Sequence, residues 1–161
     1  MVRRKSNEQG KRGNGREEAI DYGPLAGWVG FNLRMAQAAT FQAFSRLAKE
    51  IGTRPGRFAT LMLIGRNPGI SQTALSRANG RDKSSLTPVL NDLARRGLIS
   101  RRRTRADQRT YRLTLTPAGR RVLAELTRCA RAHERNLDRI IGARAQKDFV
   151  RTLKRIIAEM G

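Results

Sequence analysis

The chain has 161 residues and carries 34 lysines and arginines against 13 acids, a net charge of +21. That length suffices for one domain with a proper core, and that charge implies a polyanionic partner. No run of about twenty apolar residues occurs, so no bilayer span is expected, and the single cysteine, Cys129, supplies no disulfide framework within the chain.

The N-terminus is charged and no apolar segment follows it, so no signal peptide is read and a cytoplasmic location is expected. Residues 1–20 hold Arg3, Arg4, Lys5, Lys11, Arg12 and Arg16 with nothing apolar recurring. They read as a disordered basic arm, serving either as a solubilising tail or as a sliding contact on a nucleic-acid backbone. Residues 21–161 read as a single domain.

Gly23-Pro24 punctuates the chain, and a long helix is expected from Leu25 to about Lys49. Its apolar residues cover more than one stripe, which suits burial on two sides. Arg34 sits within the apolar turn of Phe31 and Met35. It either snorkels to solvent or meets an anion; the first is favoured, because burying an unpaired charge costs several kcal/mol. Gly52 to Pro55 breaks this helix and opens a second, with Phe58, Leu61, Met62 and Leu63 expected inward, and Asn67-Pro68-Gly69 stops it.

Ser71 is the expected N-cap of a third helix, with Ala74, Leu75 and Ala78 inward and Asn79-Gly80 as its stop. Asp82 can cap a fourth. Leu86, Val89, Leu90 and Leu93 fall at i, i+3, i+4 and i+7, so one face of a helix over about 83–96 is apolar. The opposite face carries Lys83, Ser84, Thr87, Pro88 and Asn91, with Ser85 beside them. Such short polar groups suit a helix lying deep in a major groove. Pro88 leaves two readings: the helix starts at Thr87-Pro88, or it starts at Asp82 and bends. The unbroken apolar period favours the second.

Gly97 closes that helix. Leu98, Ile99 and Ser100 begin a strand, and Tyr111, Leu113 and Leu115 alternate with Arg112 and Thr114 in its partner. The hairpin tip between them holds Arg101, Arg102, Arg103, Arg105 and Arg109, suited to phosphates and narrow minor grooves. Asp107, two residues from Arg109, is expected to orient that arginine by a salt bridge. Thr116-Pro117 opens a helix running to about Ile141, Gly142 ends it, and a last helix is expected over Ala145–Met160. Long apolar seams on both suit subunit pairing. Cys129 and His133 share one seam and read as core; together they fall short of the three or four ligands zinc requires, so no metal is expected. The acids are scattered and Glu17-Glu18 lie in the arm, so no catalytic constellation is present and an enzyme is not expected.

The segment from Asp82-Lys83-Ser84-Ser85-Leu86-Thr87 through Leu93-Ala94-Arg95-Arg96-Gly97-Leu98-Ile99, Asp107-Gln108-Arg109 and Leu113-Thr114-Leu115-Thr116-Pro117-Ala118-Gly119 resembles the MarR family of winged helix-turn-helix transcription factors. The similarity extends from about Leu25 to the C-terminus. Pro88 departs from the commoner pattern, and Cys129 does not match the position of the family's peroxide-sensing thiol. The resemblance implies a mainly α fold with a small β wing. The winged helix-turn-helix would span about 53–116, and dimerisation helices about 24–50 and 117–160. It further implies a homodimer on a near-palindromic double-stranded operator, usually as a repressor, released by a small ligand.

The residues expected to meet DNA are Gln72, Arg77, Lys83, Ser84, Ser85, Thr87, Pro88, Asn91, Arg101, Arg103, Arg105 and Arg109, the helix reading sequence and the wing supplying affinity. Trp28, Phe31, Arg34, Met35, Phe58 and Met62 are the candidates for a ligand chamber, with ordinary dimer core as the plain alternative. Aromatic walls and one guanidinium suit an aromatic carboxylate, and the excess of arginine admits an aromatic acyl-CoA; no cofactor is expected. The competing reading is an architectural, nucleoid-coating protein that uses the same charge without ligand control.

Overall fold

A computed structural model of the chain describes residues 20–51, 55–80, 82–103 and 111–161. It divides into two compact units, one ending at Met35 and the other comprising Ala36–Gly161. The order is α1 (Val29–Leu47), α2 (Phe58–Arg66), β1 (Ile70–Ser71), α3 (Gln72–Ala78), α4 (Lys83–Arg95), β2 (Ile99–Arg103), β3 (Tyr111–Leu115), α5 (Pro117–Ile141) and α6 (Ala143–Met160), with short 3-10 turns before α1, after it and before α2. The fold is mainly helical with a three-stranded antiparallel sheet ordered β1-β3-β2.

The first helix is shorter than its apolar run suggested. Gly23–Gly27 forms a 3-10 turn, Trp28 is extended at φ −82° and ψ 126°, and α1 begins only at Val29. At the break the Asn32 Nδ2 donates to Ala26 O (3.0 Å), a carbonyl that a continuous helix would have paired with an amide, and also to Trp28 O (2.9 Å), which already accepts from the Asn32 amide at 3.1 Å. Downstream, one glycine serves two helices. Gly142, at φ +84°, donates its amide to Asp138 O and accepts from the amides of Ala145 and Gln146, so α6 starts at Ala143 rather than Ala145.

The core of the second unit is a cluster of Leu61, Ile64, Leu75, Leu86, Leu90, Leu93, Leu98, Ile99, Leu113 and Leu126 with Ala48. In α2 and α3 the fully buried residues differ in part from those expected, although Leu61 and Leu75 are buried and Phe58 and Leu63 pack against the core. In α2 the buried residues are Thr60, Leu61 and Ile64, whereas Met62 and Leu63 are half-buried. Thr60 tolerates burial because its hydroxyl accepts from Asn79 Nδ2 at 3.0 Å. In α3 the buried residues are Leu75 and Ser76, and Ala74 and Ala78 are exposed.

β1 was not apparent from the sequence. Two residues are too few to show a period, and their pairing partners, Leu113 for Ile70 and Arg112 for Ser71, lie some forty positions away. At the other edge of β3, Thr116 caps α5 through its Oγ, which accepts from Gly119 N and donates to Gly97 O at 2.6 Å. Gly119 then rests against the Leu98 carbonyl so closely that a Cβ there would lie 1.9 Å from the oxygen.

Candidate nucleic-acid interface

α4 begins at Asp82, whose carboxylate Oδ1 accepts from Ser84 Oγ (2.6 Å) and from the Ser85 amide (2.7 Å). These two bonds, the Ser84 hydroxyl first, hold the Asp82 pKa down from 3.8 to about 2. The helix runs through Pro88. An interior proline costs about 3 kcal/mol. Starting at Pro88 instead would leave Leu86 outside the helix, and burying that side chain, which is fully inaccessible, is worth about 1.5–3 kcal/mol. The first-turn bonds and the Asp82 cap add to the same side, so the longer helix wins.

The far end of α4 is closed by two backbone bonds around Gly97, which lies at φ +66°. Leu98 N donates to Leu93 O and Gly97 N to Ala94 O, each 2.9 Å, the paired closure that only a left-handed residue permits without strain. Asp92 ties the helix down laterally, with its carboxylate 2.8 Å from Arg57 Nη2 and 2.6 Å from Arg95 Nη2.

With Leu86, Leu90 and Leu93 inward, the outer face is free. Lys83, Ser84, Ser85, Thr87, Pro88 and Asn91 are all exposed. Their readiness differs. Thr87 Oγ donates to Lys83 O (2.7 Å) and accepts from Gln72 Nε2 (2.8 Å). The Gln72 amide is thereby pinned from α3 onto the surface of α4, a pairing that separate readings of the two helices did not suggest. Asn91 has no side-chain hydrogen bond among the described residues, so its amide keeps full capacity for a base edge. Arg77 is exposed in the last turn of α3.

The wing pairs Arg101 with Leu113, Arg102 with Arg112 and Arg103 with Tyr111. Arg103 is shaped by its partner, with Nη2 3.0 Å from the Tyr111 hydroxyl and the guanidinium carbon 4.8 Å from the ring centre. Arg101 points to the same side as buried Leu113, and its Nε and Nη2 are out of solvent without a hydrogen-bond partner among the described residues. It is the least available of the three. On the opposite side Arg102 and Arg112 face each other as like charges, with Arg112 Nη1 3.4 Å from Gly69 O. Like charges directly opposed destabilise a bare hairpin and attract a polyanion laid across it. Arg102 stood only among the hairpin arginines suited to phosphates, not among the named contacts, and Arg112 in neither; the strand alternation that set Arg112 against Leu113 was the available signal. Arg105, Asp107, Arg109 and the expected Asp107–Arg109 salt bridge lie outside the described residues.

The expected chamber residues fall in both units. In the first, Trp28 and Met35 are exposed, Tyr22 and Phe31 have ring centres 5.6 Å apart, and the Arg34 guanidinium lies 5.2 Å from the Phe31 centre with Nη2 3.3 Å from Met35 Sδ. Arg34 is exposed. In the second, Phe58 stacks at 5.6 Å on Phe44, and Phe44 meets His133 at 5.8 Å. Cys129 Sγ lies 3.3 Å from Leu47 O. Among the described residues no group of His, Cys, Asp and Glu could hold a metal ion, and no helix is long and apolar enough to cross a membrane.

Comparison with known proteins agrees with this geometry. The sequence profile of the MarR family matches residues 51–110. A protein of Thauera aromatica assigned to transcriptional regulation of the hcr operon is 34% identical over 149 residues, covering 92% of this chain and 90% of its own. The structure of the transcriptional repressor CouR bound to a 23-mer DNA duplex aligns with TM-score 0.77 at 30% identity, covering 88% of this chain and 99% of that one. CouR bound to p-coumaroyl-CoA aligns at 0.79 and 28% identity over 89% and 100%. The regulator PcaV of Streptomyces coelicolor, in complex with its natural ligand, aligns at 0.76 and 28% over 87% and 96%. These relatives are regulators rather than enzymes. With its exposed polar α4, its arginine wing and this likeness along nearly its whole length, the chain belongs to the MarR family of winged helix-turn-helix transcriptional regulators.

Proposed function

We propose that the protein is a cytoplasmic homodimer that represses transcription from a near-palindromic operator and is released by an aromatic acid or its CoA thioester. The observation that carries the DNA-binding part is the split of α4: three leucines buried, and Lys83, Ser84, Ser85, Thr87, Pro88 and Asn91 all outward beside an arginine-bearing hairpin. In this reading Gln72, Thr87 and Asn91 read base edges. Arg77, Lys83 and Arg103 hold phosphates, with Arg101 the least exposed contributor, and so do Arg105 and Arg109, oriented by Asp107. Pairing with a second copy is supported by apolar residues left on the last two helices: Ile140 is 80% exposed, Ile157 70% and Met160 84%, with Phe149 and Val150 beside them. The effector reading is supported by the p-coumaroyl-CoA bound to CouR, by the presence of a natural ligand on PcaV, and by the arginine set against aromatic and sulfur groups at Phe31, Arg34 and Met35. Trp28 of the first unit and Phe58 and Met62 of the second are the remaining candidates.

Selection from random duplexes followed by footprinting tests the operator. The expected result is two inverted half-sites about one helical turn apart. Uniform coating without a discrete footprint would overturn the reading in favour of an architectural DNA-binding protein. Sedimentation tests the dimer, and titration with aromatic acids and their thioesters, followed by release of the selected duplex, tests the effector.

A further inference from the structure

We infer that the cleft between α2, β3 and α5 receives the phosphate-bearing part of a coenzyme A thioester. This rests on the effector reading above and specifies where the anionic end of that effector sits. The cleft encloses about 840 Å³, within the range of small-molecule sites. Its floor is apolar, from Met62, Leu115 and Leu123. Its rim carries four arginines, Arg66, Arg120, Arg128 and Arg131, and no acid among its lining residues.

The arrangement follows from helical spacing. Arg120, Thr127, Arg128 and Arg131 share one side of α5 with Leu123, while Arg66 comes from the last turn of α2. Arg120 Nη1 is fixed on Leu115 O at 3.2 Å. Arg66, Arg128 and Arg131 make no ion pair among the described residues, whereas Arg151 and Arg155 on α6 are paired with Asp148 and Glu159. Along α5 the charges from Arg120 to Arg131 are spread over about 16 Å at the helical rise of roughly 1.5 Å per residue. One carboxylate engages one guanidinium and leaves the others facing each other. A molecule with several phosphates at one end and a long, weakly polar arm at the other uses the spread cations and the apolar floor together. Guanidinium forks bind phosphate oxygens bidentately, which favours phosphate over a point-like anion.

Calorimetry on the full chain tests this with p-coumaroyl-CoA, benzoyl-CoA, free coenzyme A and the two free acids. The double variant R128Q/R131Q is expected to raise the thioester Kd by about tenfold or more, to abolish measurable binding of free coenzyme A and to leave any free-acid binding unchanged. R66Q, on the opposite wall, is expected to act in the same direction. A control removing equal charge from α6, R144Q/K147Q, is expected to change the Kd by no more than about twofold. If R128Q/R131Q and R66Q bind thioester as the unaltered protein does, the cleft assignment falls and the effector reading stands. If the unaltered protein binds only the free acids, the cleft assignment falls and the acid form of the effector reading survives. If none of the five compounds gives heat, both fall.

Discussion

Replacing Gly119 with alanine tests how the wing is joined to α5. A Cβ at this position would lie 1.9 Å from Leu98 O, a backbone atom that cannot rotate away, and real Cβ contacts essentially never fall under 3.0 Å. Either α5 lifts or β2 retreats by about an ångström. The Leu98 carbonyl also accepts from Thr116 N (3.1 Å), so that bond is stretched by the same movement. Overpacking of this kind costs about 1–3 kcal/mol, and one weakened hydrogen bond adds about 1 kcal/mol, for a total of about 2–4 kcal/mol. Against a typical stability of about 5–15 kcal/mol that is a large fraction, corresponding to a fall in Tm of roughly 4–16 °C. Urea titration followed by circular dichroism measures it, with Gly30→Ala as control, since nothing lies within 4 Å of a Cβ there. A loss below about 1 kcal/mol for Gly119→Ala would refute the close-approach argument.

Asn91→Ala is expected to relax preference at a single base pair, whereas Arg103→Ala should weaken binding to all duplexes and lower the salt slope by about one; identical losses on selected and random DNA for both would contradict the division of labour. Because the Asp82 pKa is lowered from 3.8 to about 2 in the fold, its capping contribution is full above pH 3.8 and is lost as pH falls towards 2. The stability difference between the unaltered protein and Asp82→Ala should therefore be constant near neutrality and vanish at the acid end of a pH series of thermal melts. Asp92→Ala removes a partner of Arg57 in a pair whose side chains are only 12% and 19% exposed, and a loss of about 2–3 kcal/mol is expected in denaturant titration. Arg112→Thr relieves the repulsion with Arg102. The free protein should gain about 0.2–1 kcal/mol while affinity for any duplex drops, two shifts of opposite sign measurable on one preparation.

The features legible in the sequence are those set by residues within about one helical turn of each other. Ser71, Asp82 and Thr116 cap their helices through amides three residues on, to Ala74, Ser85 and Gly119. Gly97 and Gly142 sit at positive φ where a helix must end. The leucine period fixed which face of α4 is outward, and with it which polar residues are available. What stayed hidden depends on which remote segment packs where. The burial of Thr60 on α2 is matched by Asn79, nineteen residues away, whose amide donates to its hydroxyl. The two-residue β1 exists only because β3 offers it an edge.

The same distinction separates the reading face from its neighbours. A list of exposed polar residues on α4 treats Ser84, Ser85, Thr87 and Asn91 as equals, but the fold does not. Ser84 and Ser85 spend hydrogen bonds on Asp82 and its carbonyl, and Thr87 lies between Lys83 O and Gln72 Nε2. A hydroxyl already donating and accepting offers a base only one remaining lone pair, whereas a free carboxamide offers a donor and an acceptor in one plane. On the reading proposed above, discrimination among bases falls chiefly to Asn91 and to the Gln72 carboxamide that Thr87 holds in place, with Thr87 keeping one lone pair for a base. In that reading the serines act mainly by shaping the helix end that brings these groups to the surface.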